Sequence, residues 1–385
     1  MPIPSFLPKH VLPTRLVALL KRVSRSFYLS VRVLPAPVQS QVALGYLVAR
    51  AADTIADTTL LPPAERGELL GLLSDAVAMR SGAEAELGLR LSGLLTDAAR
   101  RASTETALAE LALLRELTEC LDLLRQTEER DLKLIQQVIA QLTFGMREDL
   151  RRFPSASATV SPSEVVGLQT SSELDTYTYY AAGCVGEFWT DLMAAHLPGL
   201  GSHTAPELRE RGINLGKALQ LVNVIRDVAG DLKNGRCYWP AELINPHGLT
   251  AQRLAELAAA IGPPLSVTEA TALRKLATEL EQLTLQRCLS AWPYVQAIPA
   301  RQVRLRLACV WPLLLAVQTL TALRQVGSPL LCPGSVVKIS RQQVYRLVAR
   351  SSAAAIVDAS YSSSKRLDAV FEHAVSELRC RSPRP

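Results

Sequence analysis

Two Asp-x-x-x-Asp pairs place the strongest constraint on this chain: Asp53 and Asp57 in YLVARAADTIAD (46–57), and Asp227 and Asp231 in QLVNVIRDVAGD (220–231). Both lie in Ala/Leu/Val-rich stretches with helical periodicity, where residues i and i+4 share one face with Cβ atoms roughly 6 Å apart. Two unpaired carboxylates at that separation repel by about 3 kcal/mol at an effective dielectric near 20, so a cation belongs between them. Magnesium suits the arrangement, because it binds through a few carboxylates and fills the rest of its octahedron with waters and phosphate oxygens. Asn223 stands one turn before Asp227 and joins the candidate metal set. Arg50 and Arg226 lie beside the two pairs, as partners for the carboxylates or for phosphate. A single pair is expected roughly once by chance in a chain this long and reads as a solvated face. The repetition, with an arginine at each copy, carries the inference.

Hydrophobic residues make up 48% of the chain and aromatics only 5%. That balance suits close-packed helices and predicts an all-α fold, with residues 1–385 as one helical domain, a core at about 20–345, and C-terminal helices with a frayed tail over 346–385. Periodicity and Pro/Gly punctuation predict helices over 14–31, 38–57, 64–80, 83–101, 105–126, 131–153, 206–233, 251–261, 267–291, 299–324, 340–355 and 362–379, with one more containing 176–189. In that last one Gly183 and Gly186 allow a neighbour to approach closely. A Ser/Pro-rich loop is expected over 154–163. The charge balance of +6 is spread rather than blocked, with no nucleic-acid motif, so anionic substrates or an anionic membrane surface fit better than nucleic acid. Seven cysteines without a Cys-x-x-Cys give no disulfide framework or zinc site, and a cytoplasmic location is expected. The start of the chain shows no apolar run like that of a signal peptide. The apolar stretch 307–323 is interrupted by Pro312 and Gln318 and reads as a buried core helix before a membrane span.

The motifs SRSF (24–27), YLVARAADTIAD (46–57), YTYYAAGCVG (177–186), and QLVNVIRDVAGD followed by GRCYWP (220–240) resemble those of the squalene/phytoene synthase family of head-to-head prenyl synthases. The likeness covers roughly residues 20–345. It implies an isoprenoid (terpenoid) synthase fold, a single helical bundle around a central apolar cavity, with two Asp-rich helices holding magnesium on a diphosphate. It also implies a substrate, farnesyl diphosphate, two molecules of which are joined through presqualene diphosphate and then reduced by NADPH to squalene. Phytoene or dehydrosqualene formation, which ends in proton loss without the reductive step, is the alternative. A non-catalytic, helical, membrane-associated protein is the third reading.

By the same resemblance, Asp53, Asp57, Asp227 and Asp231 act on magnesium, and Tyr177 is the group near the proton lost on closing the cyclopropane. Ser24, Arg25, Ser26, Phe27, Tyr46, Arg50, Tyr180, Gln220, Arg226 and Arg236 become substrate or phosphate candidates. VKISR at 337–341 resembles the NADPH-associated segment of the eukaryotic members, with Ser340 where they carry Arg; Ser26, Asn223, Lys338 and Arg341 are therefore the cofactor candidates. No Gly-x-Gly-x-x-Gly follows a strand, so a Rossmann domain is not expected to hold that cofactor. Phe27, Ala181, Leu219, Ala308 and Pro312 are expected to line a dry second half-site. The membrane anchor of the eukaryotic members is not expected here, leaving peripheral contact with the inner membrane surface.

Overall fold

The computed structural model describes residues 12–24, 27–101, 104–153, 160–197, 199–200, 205–326 and 337–380. It is 82% helical, and its sheet among the described residues is one pair of two-residue parallel strands, so the all-α expectation holds. By internal packing the chain divides into two compact units, residues 1–151 with 188–198, and residues 152–187 with 199–385. Neither is one contiguous stretch, which is why no linker composition marks a boundary.

Unit 1 is built from α1 (Thr14–Val23), α2 (Phe27–Val33), α3 (Ala36–Asp57), α4 (Pro63–Val77), α5 (Ala83–Arg101), α6 (Glu105–Arg115), α7 (Leu117–Arg125) and α8 (Glu129–Arg152). Its central rod is α3. Pro37 falls in the first turn, where a missing N–H is harmless, so the helix begins before the expected residue 38. Leu47, Val48, Ala51, Ala52 and Ile55 are fully buried on its inner face, each large aliphatic contributing about 1.5–3 kcal/mol by leaving water. Buried Arg66 donates from Nη1 to the Ala56 carbonyl at 2.7 Å, satisfying one of the acceptors orphaned at the end of α3. Two expected helices are divided. The 14–31 helix stops at Ser24, whose hydroxyl donates to the Leu20 carbonyl, and the 105–126 helix breaks at Glu116 (φ −88, ψ 5). Residues 188–196 return to this unit, where His196 Nε2 lies 2.7 Å from the fully buried Asp131 and Gln41 donates to the same carboxylate oxygen.

Unit 2 contains α9 (Ser171–Thr178), the start of α10 (Cys184–His196), α11 (Ala205–Arg226), α12 (Val228–Lys233), α13 (Ala241–Ile244), α14 (Ala251–Ala259), α15 (Val267–Ala297), α16 (Val303–Val326), α17 (Arg341–Tyr361) and α18 (Lys365–Cys380). Its strands β1 (Val166–Gly167) and β2 (Arg236–Cys237) pair in parallel, Val166 opposite Arg236. The expected helix around 176–189 begins earlier, at a Thr170/Glu173 capping box, and widens into a π turn at Tyr179–Gly183. Beyond that turn it lies backbone to backbone on α11. A Cβ on Gly186 would sit 2.0 Å from the Gly212 carbonyl oxygen, and one on Gly216 would sit 2.2 Å from the Ala182 oxygen. The close approach expected at Gly186 is therefore real, and its partners are the glycines of Gly212-x-x-x-Gly216. In α16, 78% of the apolar window long enough to cross a membrane is buried inside the protein, in line with a core helix; Ala308 lies within it. α18 (Lys365–Cys380) falls on the helix expected over 362–379; residues 381–385 of the expected tail lie outside the described ones, as do 154–159 of the expected loop.

Candidate active site

In unit 1 the first acidic pair rides on the last two turns of α3. Arg50, one turn earlier, reaches Asp53 with Nη1 at 3.4 Å and meets Glu110 of α6 with its other terminal nitrogen. Glu110 was not singled out from sequence, since nothing in a Leu/Ala-rich helix marks one glutamate as the arginine's partner. Burial pushes the Asp53 carboxyl up to about 6 against the opposing pull of Arg50, and the nearby Asp57 pushes in the same direction as burial. Protein crowds Asp53, yet 44% of its side-chain surface remains open, and Asp57 is exposed. Tyr46, two turns before Asp53, stacks on Phe27 with ring centres 4.8 Å apart and donates its hydroxyl to the Val23 carbonyl at 3.3 Å. Ser24 is buried with its hydroxyl turned to Leu20. Arg25 and Ser26 lie outside the described residues.

In unit 2 the expected 206–233 helix is divided at Asp227 (φ −97, ψ 3), which caps α12. The break is shallow. Asp227 N–H still bonds Asn223 O at 2.8 Å, and Asp231 N–H bonds Asp227 O at 3.0 Å, so the pair keeps its one-turn spacing. Near the break, the buried indole of Trp239 donates to the Val224 carbonyl at 3.3 Å, tying GRCYWP back against the end of α11. Arg226 forks onto Asp227, Nε to Oδ1 at 2.8 Å and Nη2 to Oδ2 at 2.5 Å.

One turn back, Asn223 Nδ2 donates to Gln220 Oε1 at 3.2 Å, and Gln220 Nε2 donates to the Tyr177 hydroxyl at 3.0 Å. The Tyr177 ring stacks on Tyr238 at 4.2 Å, and Tyr238 meets Phe153 edge-on at 5.4 Å. Three residues chosen from two motifs, Tyr177 from one and Gln220 and Asn223 from the other, thus form one hydrogen-bonded chain. Tyr238, the ring that backs it, lies inside GRCYWP but was not singled out from sequence, because its stacking on Tyr177 is a tertiary contact. The neighbouring Tyr179 is committed elsewhere: its hydroxyl donates to Glu187 at 2.9 Å, and burial, with that bond, raises it to about 12. Tyr180 sits edge-on to Tyr179 at 5.2 Å, and Arg236 occupies β2. Lys338 and Arg341 are exposed on either side of Ser340, whose hydroxyl caps α17 by accepting from Gln343 N–H at 3.2 Å. A shallow depression along α15, lined by residues including Arg274, Lys275 and Glu279, contains none of these groups.

Among the described residues no three Cys, His, Asp or Glu side chains gather into a protein-only metal cage. Each acidic pair offers two carboxylates one turn apart, a donor set that fits magnesium where waters and phosphate oxygens complete the shell. The exposed cations Lys338 and Arg341 fit an anionic cofactor group by charge.

The sequence profile of the family described as Squalene/phytoene synthase matches residues 20–343. A squalene synthase from Eremothecium gossypii is 32% identical over 232 residues, 60% of this chain and 46% of that protein. A phytoene synthase from Thermus thermophilus is 39% identical over 89 residues, 23% of this chain and 28% of that protein. The match thus spans under half the length of these relatives. A solved structure of TcSQS in complex with a ligand superposes with a TM-score of 0.66 at 19% identity, covering 94% of this chain and 96% of that one, and so shares its fold. With the motifs, the helical architecture and a profile match running through both acidic pairs, the chain belongs to the squalene/phytoene synthase family.

Proposed function

We propose that this protein is a magnesium-dependent prenyltransferase that joins two molecules of farnesyl diphosphate head to head through presqualene diphosphate and reduces the product to squalene with NADPH. The observation that carries the reading is the Asn223–Gln220–Tyr177 chain, which fixes a phenol on Gln220, about two helical turns before Asp227, and links it to Asn223, one turn before that residue. Asp53, Asp57, Asp227 and Asp231 would hold magnesium, which supplies positive charge to a departing diphosphate. Arg226 stands beside that charge and, on moving off Asp227, offers a planar fork suited to phosphate oxygens.

Tyr177 then acts on the proton lost in ring closure. A phenol is a weak base, and two features help it. The amide of Gln220 donates to its oxygen, which stabilises developing negative charge, and the stacked face of Tyr238 shields one side from water. Aromatic faces also favour a neighbouring carbocation over neutral substrate. Asn223, Lys338 and Arg341, with Ser26, would hold NADPH, which supplies the hydride of the second half-reaction. The expected location is cytoplasmic.

Incubating purified protein with labelled farnesyl diphosphate and magnesium, with and without NADPH, tests this reading. Squalene with NADPH and presqualene diphosphate accumulating without it are the expected products. The phytoene synthase relative keeps the non-reductive branch as a second reading. That branch predicts dehydrosqualene whether or not NADPH is present, or phytoene from geranylgeranyl diphosphate. No pyrophosphate release from either substrate would leave only the non-catalytic reading.

A further inference from the structure

We propose that the outer face of α17 is a docking surface for an anionic lipid bilayer. Tyr345, Ala349, Ala353 and Ile356 recur at i, i+4, i+8 and i+11, which at about 100° per residue places them within an arc of roughly 80°. All four are exposed, and the two large ones are 67% and 59% open. Tyr361, 78% open, closes the C-terminal end of the helix. Arginines bracket the stripe, with Arg341 on one side and Arg346 and Arg350 on the other, all exposed. The helix spans 21 residues, about 31 Å at 1.5 Å per residue, so the face is long and narrow.

Charge selects the occupant. From Val337 to Phe371 the chain carries six cations, Lys338, Arg341, Arg346, Arg350, Lys365 and Arg366, against two carboxylates. Both carboxylates are engaged within the protein. Asp358 is 2% exposed and accepts from the Arg366 and Leu367 N–H groups at 3.1 and 2.9 Å. Asp368 accepts from Trp292 Nε1 at 2.8 Å and from Gln296 at 3.0 Å.

The inner face of α17 is fastened, with Ser351 and Ala355 fully buried and Trp311 Nε1 donating to the Ser351 hydroxyl at 3.1 Å. Rigid mounting inside and, outside, a cationic stripe that starts at an aromatic residue are what lying on a headgroup layer requires. Arginines meet lipid phosphates, tyrosines sit at headgroup level, and the aliphatic stripe enters the acyl boundary.

Co-sedimentation of the full chain with vesicles tests this without substrate, so the result stands apart from the proposed chemistry. Binding is expected to vesicles of phosphatidylcholine with roughly one third phosphatidylglycerol, weakly or not at all to phosphatidylcholine alone, and to fall as salt rises. Arg346→Glu with Arg350→Glu removes two cations and is expected to weaken binding by at least about 30-fold. Tyr345→Ser with Ile356→Ser should remove the part that survives high salt. Unchanged thermal unfolding of both variants, in which only exposed side chains are altered, establishes that the fold is intact. Equal binding by variants and parent, or indifference to lipid charge, overturns the proposal. So does a chain that ignores vesicles but loses self-association in the variants, which makes this face a contact between two copies, or one that binds nucleic acid in place of lipid.

Discussion

In unit 1 the acidic pair rides on an unbroken helix, and its arginine is three residues away, half-buried and shared with Glu110 on another helix. In unit 2 the pair straddles a break, and its arginine is the adjacent residue, forked onto Asp227 with 48% of that side chain open. One spacing in the sequence therefore has two electrostatic settings. The first is held by a network crossing between helices, and removing its arginine leaves two carboxylates without their shared cation in a crowded place. The second is a local clasp at the surface, which can open at little cost in folding energy. A pair in the first setting has a preset position, whereas one in the second can hand its arginine to an incoming anion.

The largest effects should be catalytic and should erase the difference. Asp53→Asn and Asp227→Asn are each expected to lower magnesium-dependent pyrophosphate release by about 10³-fold, since each removes charge that opposes diphosphate departure. If either variant kept full activity, that pair would drop out of the site. Next, Tyr177→Phe should slow presqualene diphosphate formation by about 10²-fold with substrate KM nearly unchanged. A KM rise with unaltered kcat would move Tyr177 from proton chemistry to binding.

Stability measurements then separate the two settings. Arg50→Leu is expected to cost about 2 kcal/mol in urea unfolding, because Asp53 and Glu110 lose their shared cation, while Arg226→Leu should cost well under about 1 kcal/mol. Equal costs would show that the two arginines do the same job. The smallest effect is one of pH in the metal-free protein. The Asp53 carboxyl is raised from 3.8 to about 6, so the folded state holds this proton more tightly than the unfolded chain does, and stability falls as pH rises from about 4 to 6. Discounted for the open part of the side chain, Asp53→Asn should make the metal-free protein about 1 kcal/mol more stable at pH 8, with a flatter profile between pH 4 and 6. A parallel profile for the variant would place the proton elsewhere.

Much of the architecture was legible from periodicity and punctuation. α5 spans the expected residues, α3 starts two residues early, and the glycines at 183 and 186 announced a close helix approach. What escaped were features produced by residues far apart in the chain. The division at Asp227 occurs where Trp239, fifteen residues past Val224, donates to a last-turn carbonyl, and local helix propensity contains no trace of that bond. The π turn at Tyr179–Gly183 sits where glycines of α11 bring two backbones together, again a tertiary event. Arg226 could be paired with Asp227 from sequence because they are neighbours. Arg50 could not be paired with Glu110, which is sixty residues on.

By itself the sequence determined which groups are candidates for the chemistry and on which helical faces they recur, because side-chain type and a period of 3.6 residues are local properties. Tertiary structure alone decided which of them meet. Gln220 meets Tyr177, Tyr238 backs the phenol, and Arg50 meets Glu110, since such contacts form only when packing brings separate segments to hydrogen-bonding and van der Waals distance.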